Sequence, residues 1–293
     1  MRFNELLAMV GLDPRNVAIM LHTPAQPDQK RSLLALVEDA PDQFDAYQDN
    51  HPRNAESTLK KRAVTASFVV GEGGEGRFVG LYTVAGWTFR SAEEFDADPV
   101  RQNLILRFRG ISYVELARQS GQSGRAVFDL RPLPALADLR GRLIVSRPPG
   151  RAHMRLAENC DLPVLQIERE ARFAPPAPDW DNFVVTGGEM RGLPRTWQAR
   201  LREWRGIYLI VDQSDGARYV GSAYGETNLL GRWRAHVARE LGVTVELGSR
   251  DPATLRFSIL QRLDPDLAAD QVIAVEQNWK RRLDTIAWGL NRN

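Results

Sequence analysis

The stretch that decides the fold of the C-terminal region reads Gly206-Ile207-Tyr208, then ten residues, then Tyr219-Val220-Gly221-Ser222. The first segment opens an apolar run typical of a strand, and the second ends the returning strand, residues 217–222. Between them Asp215-Gly216 favours a turn, because glycine tolerates positive φ. The sequence therefore predicts a β-hairpin that carries two tyrosines, Tyr208 and Tyr219, on paired antiparallel strands.

Further elements follow this hairpin in a regular order. Asn228 can cap a helix that runs to about Glu240, on which Arg232 and His236 are four residues apart and share a face. Residues 255–261 read as a third strand, and residues 270–283 as a second helix that presents Glu276. We therefore predict, for residues 204–293, an α+β domain with a small three-stranded antiparallel sheet flanked by helices.

The polar residues of this region suit phosphodiester hydrolysis. Magnesium prefers oxygen ligands and often takes one or two carboxylates, so Glu276 is the candidate metal ligand. Arg232 could stabilise charge on a phosphate. Tyr208, Tyr219 and His236 are all candidate general bases, although a tyrosine with a pKa of about 10 needs a nearby cation to act as one. On a solvated helix, Glu276 could instead simply pair with Lys280 at i+4.

The order of these motifs, closed by Gly289-Leu290-Asn291, resembles that of the GIY-YIG nuclease family. The resemblance implies a magnesium- or manganese-dependent endonuclease in which Tyr208 is the general base, Glu276 holds the metal ion and Arg232 contacts phosphate. It also implies that Tyr219 and Asn291 support the site, with His236 one turn beyond the arginine. Val220 departs from the isoleucine in the family name, which is a conservative change.

Residues 1–180 are predicted to form a separate, β-rich domain with a helical start, and residues 181–203 a linker with a short helix. Three helices are expected in the first 60 residues (3–10, 32–39 and 42–48), followed by strands within residues 63–170 (63–70, 77–84, 104–108, 142–146 and 164–168). Short strands separated by turns favour a small barrel or sandwich. The glycine-rich residues 71–76 read as the turn of a hairpin.

This N-terminal domain is expected to select the target DNA, since a nuclease domain of about 90 residues offers little surface for reading a long site. Its candidate DNA contacts are arginines (Arg101, Arg107, Arg109, Arg125, Arg142, Arg147, Arg151 and Arg155). Its aromatic residues are expected to pack in the core rather than to stack on bases (Phe78, Tyr82, Trp87, Phe89 and Phe108).

The composition is that of an ordinary globular protein, with 43% hydrophobic and 26% charged residues and a net charge of only +2. No apolar run is long enough to span a membrane, and the N-terminus lacks a secretory signal pattern. The single cysteine, Cys160, excludes an intramolecular disulfide and fits a reducing compartment, so a cytoplasmic location is expected.

The sequence thus favours a metal-dependent DNA endonuclease, with a restriction-like or defence role among the settings considered. The alternative is a DNA-binding or interaction module that retains the nuclease fold without cleavage. Cutting both strands with one active site per chain requires two chains or sequential nicks, so a homodimer on DNA is one expected arrangement.

Overall fold

The computed structural model describes residues 1–24, 27–71, 73–108, 112–150, 152–240 and 245–292 of the 293-residue chain. The chain divides into two compact units, Met1–Pro175 and Pro176–Asn293, each of which mixes helices and strands. Among the described residues, no helix is both long and apolar enough to cross a membrane.

The N-terminal unit is built on one seven-stranded mixed sheet within its described residues. The strands, in chain order, are β1 (Val17–His22), β2 (Val64–Val70), β3 (Glu75–Ser91), β4 (Gly124–Leu133), β5 (Leu143–Ser146), β6 (Met154–Leu156) and β7 (Val164–Ile167). Their order is β6-β1-β2-β3-β5-β7, with β4 also paired to the long strand β3. The pair β1 and β2 is parallel, and the other pairs are antiparallel.

Seven helices accompany this sheet in the described residues. They are α1 (Phe3–Met9), α2 (Pro27–Asp39), α3 (Pro41–Gln48), α4 (Arg53–Leu59), α5 (Ala92–Asp96), α6 (Pro99–Phe108) and α7 (Tyr113–Ser120). One core cluster lies under α1 and includes Phe3, Phe68 and Phe78. Another joins α2, α3 and α6 through Leu36, Phe44 and Leu104.

The predicted hairpin of residues 63–84 is confirmed by the antiparallel pairing of β2 with β3. Two other expectations were wrong. A single mixed sheet replaces the predicted barrel or sandwich, because β1, which the sequence analysis did not identify, is buried along its whole length and pairs in parallel with β2. Residues 104–108 are helical rather than extended, since Leu104 and Phe108 are one helical turn apart and pack on the same cluster.

Several predicted roles of single residues in this unit also change. Arg101 is only 3% exposed and forms an ion pair with Asp49, so it is structural rather than a free DNA contact. Arg142 donates to the carbonyl oxygens of Glu168 and Asp138. Trp87 and Phe89 are exposed instead of packing in the core, because β3 runs on beyond β2 and there pairs with β4. Arg109 and Arg151 lie outside the described residues.

The C-terminal unit has a four-stranded antiparallel sheet in its described residues, in the order β10-β9-β11-β8. The strands are β8 (Val184–Thr186), β9 (Arg205–Asp212), β10 (Arg218–Ala223) and β11 (Leu255–Leu263). The sequence predicted three of them and assigned residues 181–203 to a linker with a short helix. A helix is observed at Arg195–Glu203. The residues before it belong to the fold, because β8 pairs with β11, and Phe183 and Val185 are buried in the core.

The helices of the C-terminal unit are α8 (Arg195–Glu203), α9 (Asn228–Ala238), α10 (Val245–Gly248) and α11 (Ala269–Arg282). Strand alternation sends neighbouring side chains to opposite faces of the sheet. One face packs with α8 and α9 through Trp197 and Trp233. The other packs with α11, where Ile207 and Val220 contact Val272. Strands β9 and β10 contribute side chains to both faces.

Candidate active site

Both tyrosines of the predicted hairpin lie on the face of the sheet that packs against α9. Tyr208 is fully buried and Tyr219 is nearly so, with 6.4 Å between their ring centroids. Gly221 on β10 lies directly opposite Tyr208 on β9. A Cβ atom at Gly221 would come within 2.6 Å of Tyr208 Cζ. The glycine therefore provides the space into which the Tyr208 ring fits.

His236, from helix α9, completes this cluster. Its Nε2 atom lies 2.7 Å from Tyr208 Oη, and its ring also contacts that of Tyr219 at 5.4 Å between centroids. The Nδ1 atom is buried with no hydrogen-bond partner among the described residues. Because a buried N–H without a partner is more unfavourable than a buried acceptor without one, we assign the proton to Nε2. His236 then donates a hydrogen bond to the Tyr208 oxygen.

The titration behaviour of the cluster follows from its burial. Burial raises the pKa of Tyr208 well above its ordinary value, and burial likewise raises the pKa of Tyr219. The positive charge of Arg232 acts in the opposite direction on both tyrosines. Burial, assisted by the Arg232 charge, lowers the pKa of His236 to about 3. His236 is therefore a neutral imidazole near pH 7.

Glu276 reaches the site from α11, on the other face of the sheet. Its carboxylate accepts a hydrogen bond from the Ser222 hydroxyl on β10 and forms an ion pair with Lys280, with 2.8 Å between Oε1 and Nζ. Lys280 is only 3% exposed. The negative charge of Glu276 is close enough to contribute to the raised pKa of both tyrosines, after the larger effect of burial. The carboxylate is thus electrostatically coupled to the tyrosine cluster.

Asn291 acts on the backbone of β10. Its side-chain Oδ1 accepts from the Val220 N–H at 2.9 Å, and its Nδ2 donates to the Val220 carbonyl at 2.8 Å. The Leu290 N–H donates to the Arg218 carbonyl at 2.8 Å. Residues 290 and 291 therefore take the place of a further strand along the open edge of β10 and fix the strand that carries Tyr219.

A metal ion at this site would have few ligands from the protein. Within the described ranges, no group of three or more His, Cys, Asp or Glu side chains could hold one. Magnesium commonly binds through one or two carboxylates and completes its shell with waters and substrate phosphate. Glu276, which accepts from the Ser222 hydroxyl and pairs with Lys280, fits that pattern as a single carboxylate ligand.

The structure brings Tyr208, Tyr219 and His236 into contact. The charges of Arg232 and Glu276 act on both tyrosines. Asn291 hydrogen bonds to the backbone of Val220. Ser222 was not among the site residues predicted from the sequence, although it directly follows Tyr219-Val220-Gly221. Lys280 was predicted only as a partner of Glu276 on a solvated helix, since the i+4 spacing does not show that its side chain is buried. Irregular residues 241–254 contain α10, and residues 241–244 lie outside the described part.

No protein-family model and no curated protein matches this chain. Among solved structures, the chain is similar to the catalytic domain of homing endonuclease I-TevI, with 24% identity over 30% of this chain and 96% of that chain and a TM-score of 0.26. The chain is also similar to a mutant of the catalytic domain of intron endonuclease I-TevI, with 23% identity over 31% of this chain and 94% of that chain and a TM-score of 0.27.

Proposed function

We propose that this chain is a metal-dependent DNA endonuclease, in which the C-terminal unit hydrolyses phosphodiester bonds and the N-terminal unit selects the DNA. The observation that supports the proposal is the grouping of Tyr208, His236 and Arg232, with the carboxylate of Glu276 electrostatically coupled to them. A base, a cation for the phosphate and a hard metal ligand are what this reaction requires.

Tyr208 is the proposed general base. Its burial favours the neutral phenol, so two groups must favour the phenolate if it is to take a proton. The Arg232 charge does so by attraction, and the Nε2–H of neutral His236 does so by donating to the oxygen. His236 is then a positioning residue, since it acts through Tyr208.

Arg232 is the proposed contact to the scissile phosphate, because a guanidinium can donate two hydrogen bonds to phosphate oxygens. Glu276 is the residue that would hold a magnesium or manganese ion. When bound, such an ion would polarise the phosphoryl oxygen and stabilise the leaving oxygen. Ser222 orients the carboxylate by donating to it.

One contact favours the alternative of a non-cleaving DNA-binding module. The buried ammonium of Lys280 already neutralises Glu276, so the site holds a cation of its own. If Lys280 prevents metal binding, the fold is retained without hydrolysis.

The deciding experiment compares wild type, Glu276→Gln and Lys280→Met on supercoiled plasmid and phage DNA, with magnesium or with EDTA. Calorimetry measures magnesium binding to each variant in the same buffer. Cleavage that requires magnesium and is lost in Glu276→Gln, with DNA binding intact, supports the nuclease. Cleavage or metal binding that emerges only in Lys280→Met supports the non-cleaving module. Asn278→Ala, an exposed change on the same helix, is the matched control.

A further inference from the structure

The N-terminal unit contains a pocket of about 400 Å³ between α3, α6, α7 and β4. This volume lies within the range of roughly 300–1,000 Å³ that is typical of small-molecule sites. The pocket is distant in sequence from every residue of the candidate active site, and neither the GIY-YIG resemblance nor the proposed catalytic roles account for it.

Three aromatic side chains form its walls: Tyr47 from α3, Phe108 from α6 and Tyr113 from α7. The rings of Tyr47 and Phe108 lie 6.0 Å apart between centroids. Tyr113 is stacked on Phe95 behind it at 4.4 Å. Aromatic walls of this kind bind flat, polarisable rings by stacking.

A few polar groups accompany these walls. Gln29, Asn50 and Arg125 line the pocket, and the Arg125 guanidinium lies 5.9 Å from the centroid of the Tyr113 ring. The Asn50 amide is fixed in orientation, since its Nδ2 donates to the Ala46 carbonyl at 3.0 Å and to the Asp49 carboxylate at 3.2 Å. Both Nδ2 hydrogens of Asn50 are therefore in use, and the Gln29 Nε2 donates to the Phe108 carbonyl at 3.3 Å. The amide oxygens are left to accept from the N–H groups of a base, and an arginine can pair with phosphate.

The walls are held in place before any ligand arrives. Buried Arg101 on α6 donates to the Asp49 carboxylate, at 2.7 and 3.0 Å, and to the Ala46 carbonyl of α3 at 2.9 Å. The backbone N–H groups of Tyr113 and Val114 donate to Asp96, which fixes the start of α7. Because these side chains are already ordered, binding to the pocket loses little free energy to ordering them.

We propose that this pocket receives a single nucleobase that is swung out of the DNA duplex, with stacking on its aromatic walls and hydrogen bonds from its N–H groups to the amide oxygens. The inference rests on the proposed function, because it identifies how the N-terminal unit would read DNA. Proteins that extrude a base hold it in such pockets, through stacking and contacts to its pairing edge. Among the described lining residues there is one arginine and no carboxylate, which suits an anionic nucleic acid.

The test uses tryptophan substitutions that fill the pocket and compares them with a tryptophan placed on the neighbouring surface. Ile105 lines the pocket from α6, whereas its neighbour Leu106 is 67% exposed and does not. Ile105→Trp and Leu116→Trp fill the pocket from two different helices, and Leu106→Trp is the matched control. Thermal unfolding of each full-length variant confirms that it folds.

Binding is measured in EDTA, so that cleavage plays no part, with fluorescent duplexes that carry each of the four bases, or their methylated forms, opposite an abasic site. A base without a partner is less costly to extrude, so wild type should bind at least one such duplex about tenfold more tightly than the fully paired duplex. The preference should be lost in both filled variants and kept in Leu106→Trp.

Equal preference in the filled variants and wild type would overturn the proposal. So would binding of free deoxynucleosides without any preference for the unpaired duplex, which would indicate a free nucleoside as the ligand. The plasmid assay is independent of this result: an unpaired-base preference in a chain that never cleaves would retain the pocket and reject the nuclease. Cleavage by a chain that shows no preference for an unpaired base would retain the nuclease and reject the pocket.

Discussion

The two units of this protein place their candidate sites very differently along the chain. In the C-terminal unit, Tyr208, Tyr219, Arg232 and His236 come from two adjacent strands and the helix that follows them. In the N-terminal unit, the pocket takes residues from between Pro24 and Arg125, on helices that no short motif connects. Local spacing therefore indicates the first site, whereas the second depends on which helices pack together.

The units also differ in how their buried histidines are used. His236 is hydrogen bonded to Tyr208 and belongs to the candidate active site. His22 and His51 in the N-terminal unit stack at 6.4 Å between centroids, and the Nε2 atoms of both lack a partner among the described residues. One unit employs its histidine in a polar network, whereas the other buries its pair among aromatic side chains.

The largest expected effect separates the two tyrosines of the C-terminal site. Tyr208→Phe should lower the cleavage rate about 10³-fold, since it removes the proposed general base and leaves the His236 donor unpaired. Tyr219→Phe should lower it by no more than about tenfold, as for the loss of one neutral hydrogen bond. Single-turnover cleavage of plasmid at saturating magnesium measures both. Equal losses in the two variants would contradict the assignment of Tyr208 as the base.

The next largest effect is expected from a small displacement of the Tyr208 ring in the C-terminal site. Gly221→Ala should slow cleavage about 100-fold, because its Cβ would push on the Tyr208 ring and a shift of about 1 Å can have that effect. Gly225→Ala is the matched control, since its Cβ would meet nothing within 4 Å. Cleavage rates and thermal unfolding are recorded for both. If Gly221→Ala cleaves as fast as Gly225→Ala, the close fit of Tyr208 has no functional role.

A smaller effect concerns stability. Asn291→Ala should destabilise the C-terminal unit by about 2 kcal/mol, because it leaves the buried N–H and carbonyl of Val220 without partners. Amide hydrogen exchange of peptides from each unit measures the change separately. Faster exchange is expected in the β9–β10 peptides, with the N-terminal unit unaffected. Destabilisation confined to the N-terminal unit would show that Asn291 does not fix β10.

The smallest effect is a difference in pH dependence between the units. Burial lowers the pKa of His22 and of His51 to about 3, so both stay neutral in the folded chain while the unfolded chain takes up protons below pH ~6.5. The stability of the N-terminal unit should therefore be greatest above that pH and fall by about 1 kcal/mol per histidine between pH 6.5 and 5.5.

The C-terminal unit has only His236 in this state and should lose about 1 kcal/mol, which is less than the loss in the N-terminal unit. Hydrogen exchange at the two pH values compares the units in one sample. The double variant His22→Leu, His51→Leu should reduce the response of the N-terminal unit only, and should leave the part that comes from His153, whose pKa is also lowered by burial. A loss of stability as steep as that of wild type would show that other groups govern it.

Much of the C-terminal fold could be predicted from the sequence, including β9, β10, α9, β11 and α11 close to their observed bounds. The shortest strand of this unit, β8, could not be predicted. It consists of three β-branched residues after a proline-rich stretch, and they are identified as a strand only by their pairing with β11. In the N-terminal unit, β1 escaped prediction for a similar reason: its pairing partner β2 lies more than 40 residues away.

The sequence by itself determined the hairpin, its two tyrosines and the four-residue spacing of Arg232 and His236, since strand and helix periodicity fix which neighbours share a face. Only the tertiary structure decided that Lys280 is buried against Glu276 and that Asn291 hydrogen bonds to the backbone of β10. It also decided that Tyr47, Phe108 and Tyr113 line one pocket. Those facts depend on contacts between segments far apart in the chain, which local pattern does not encode.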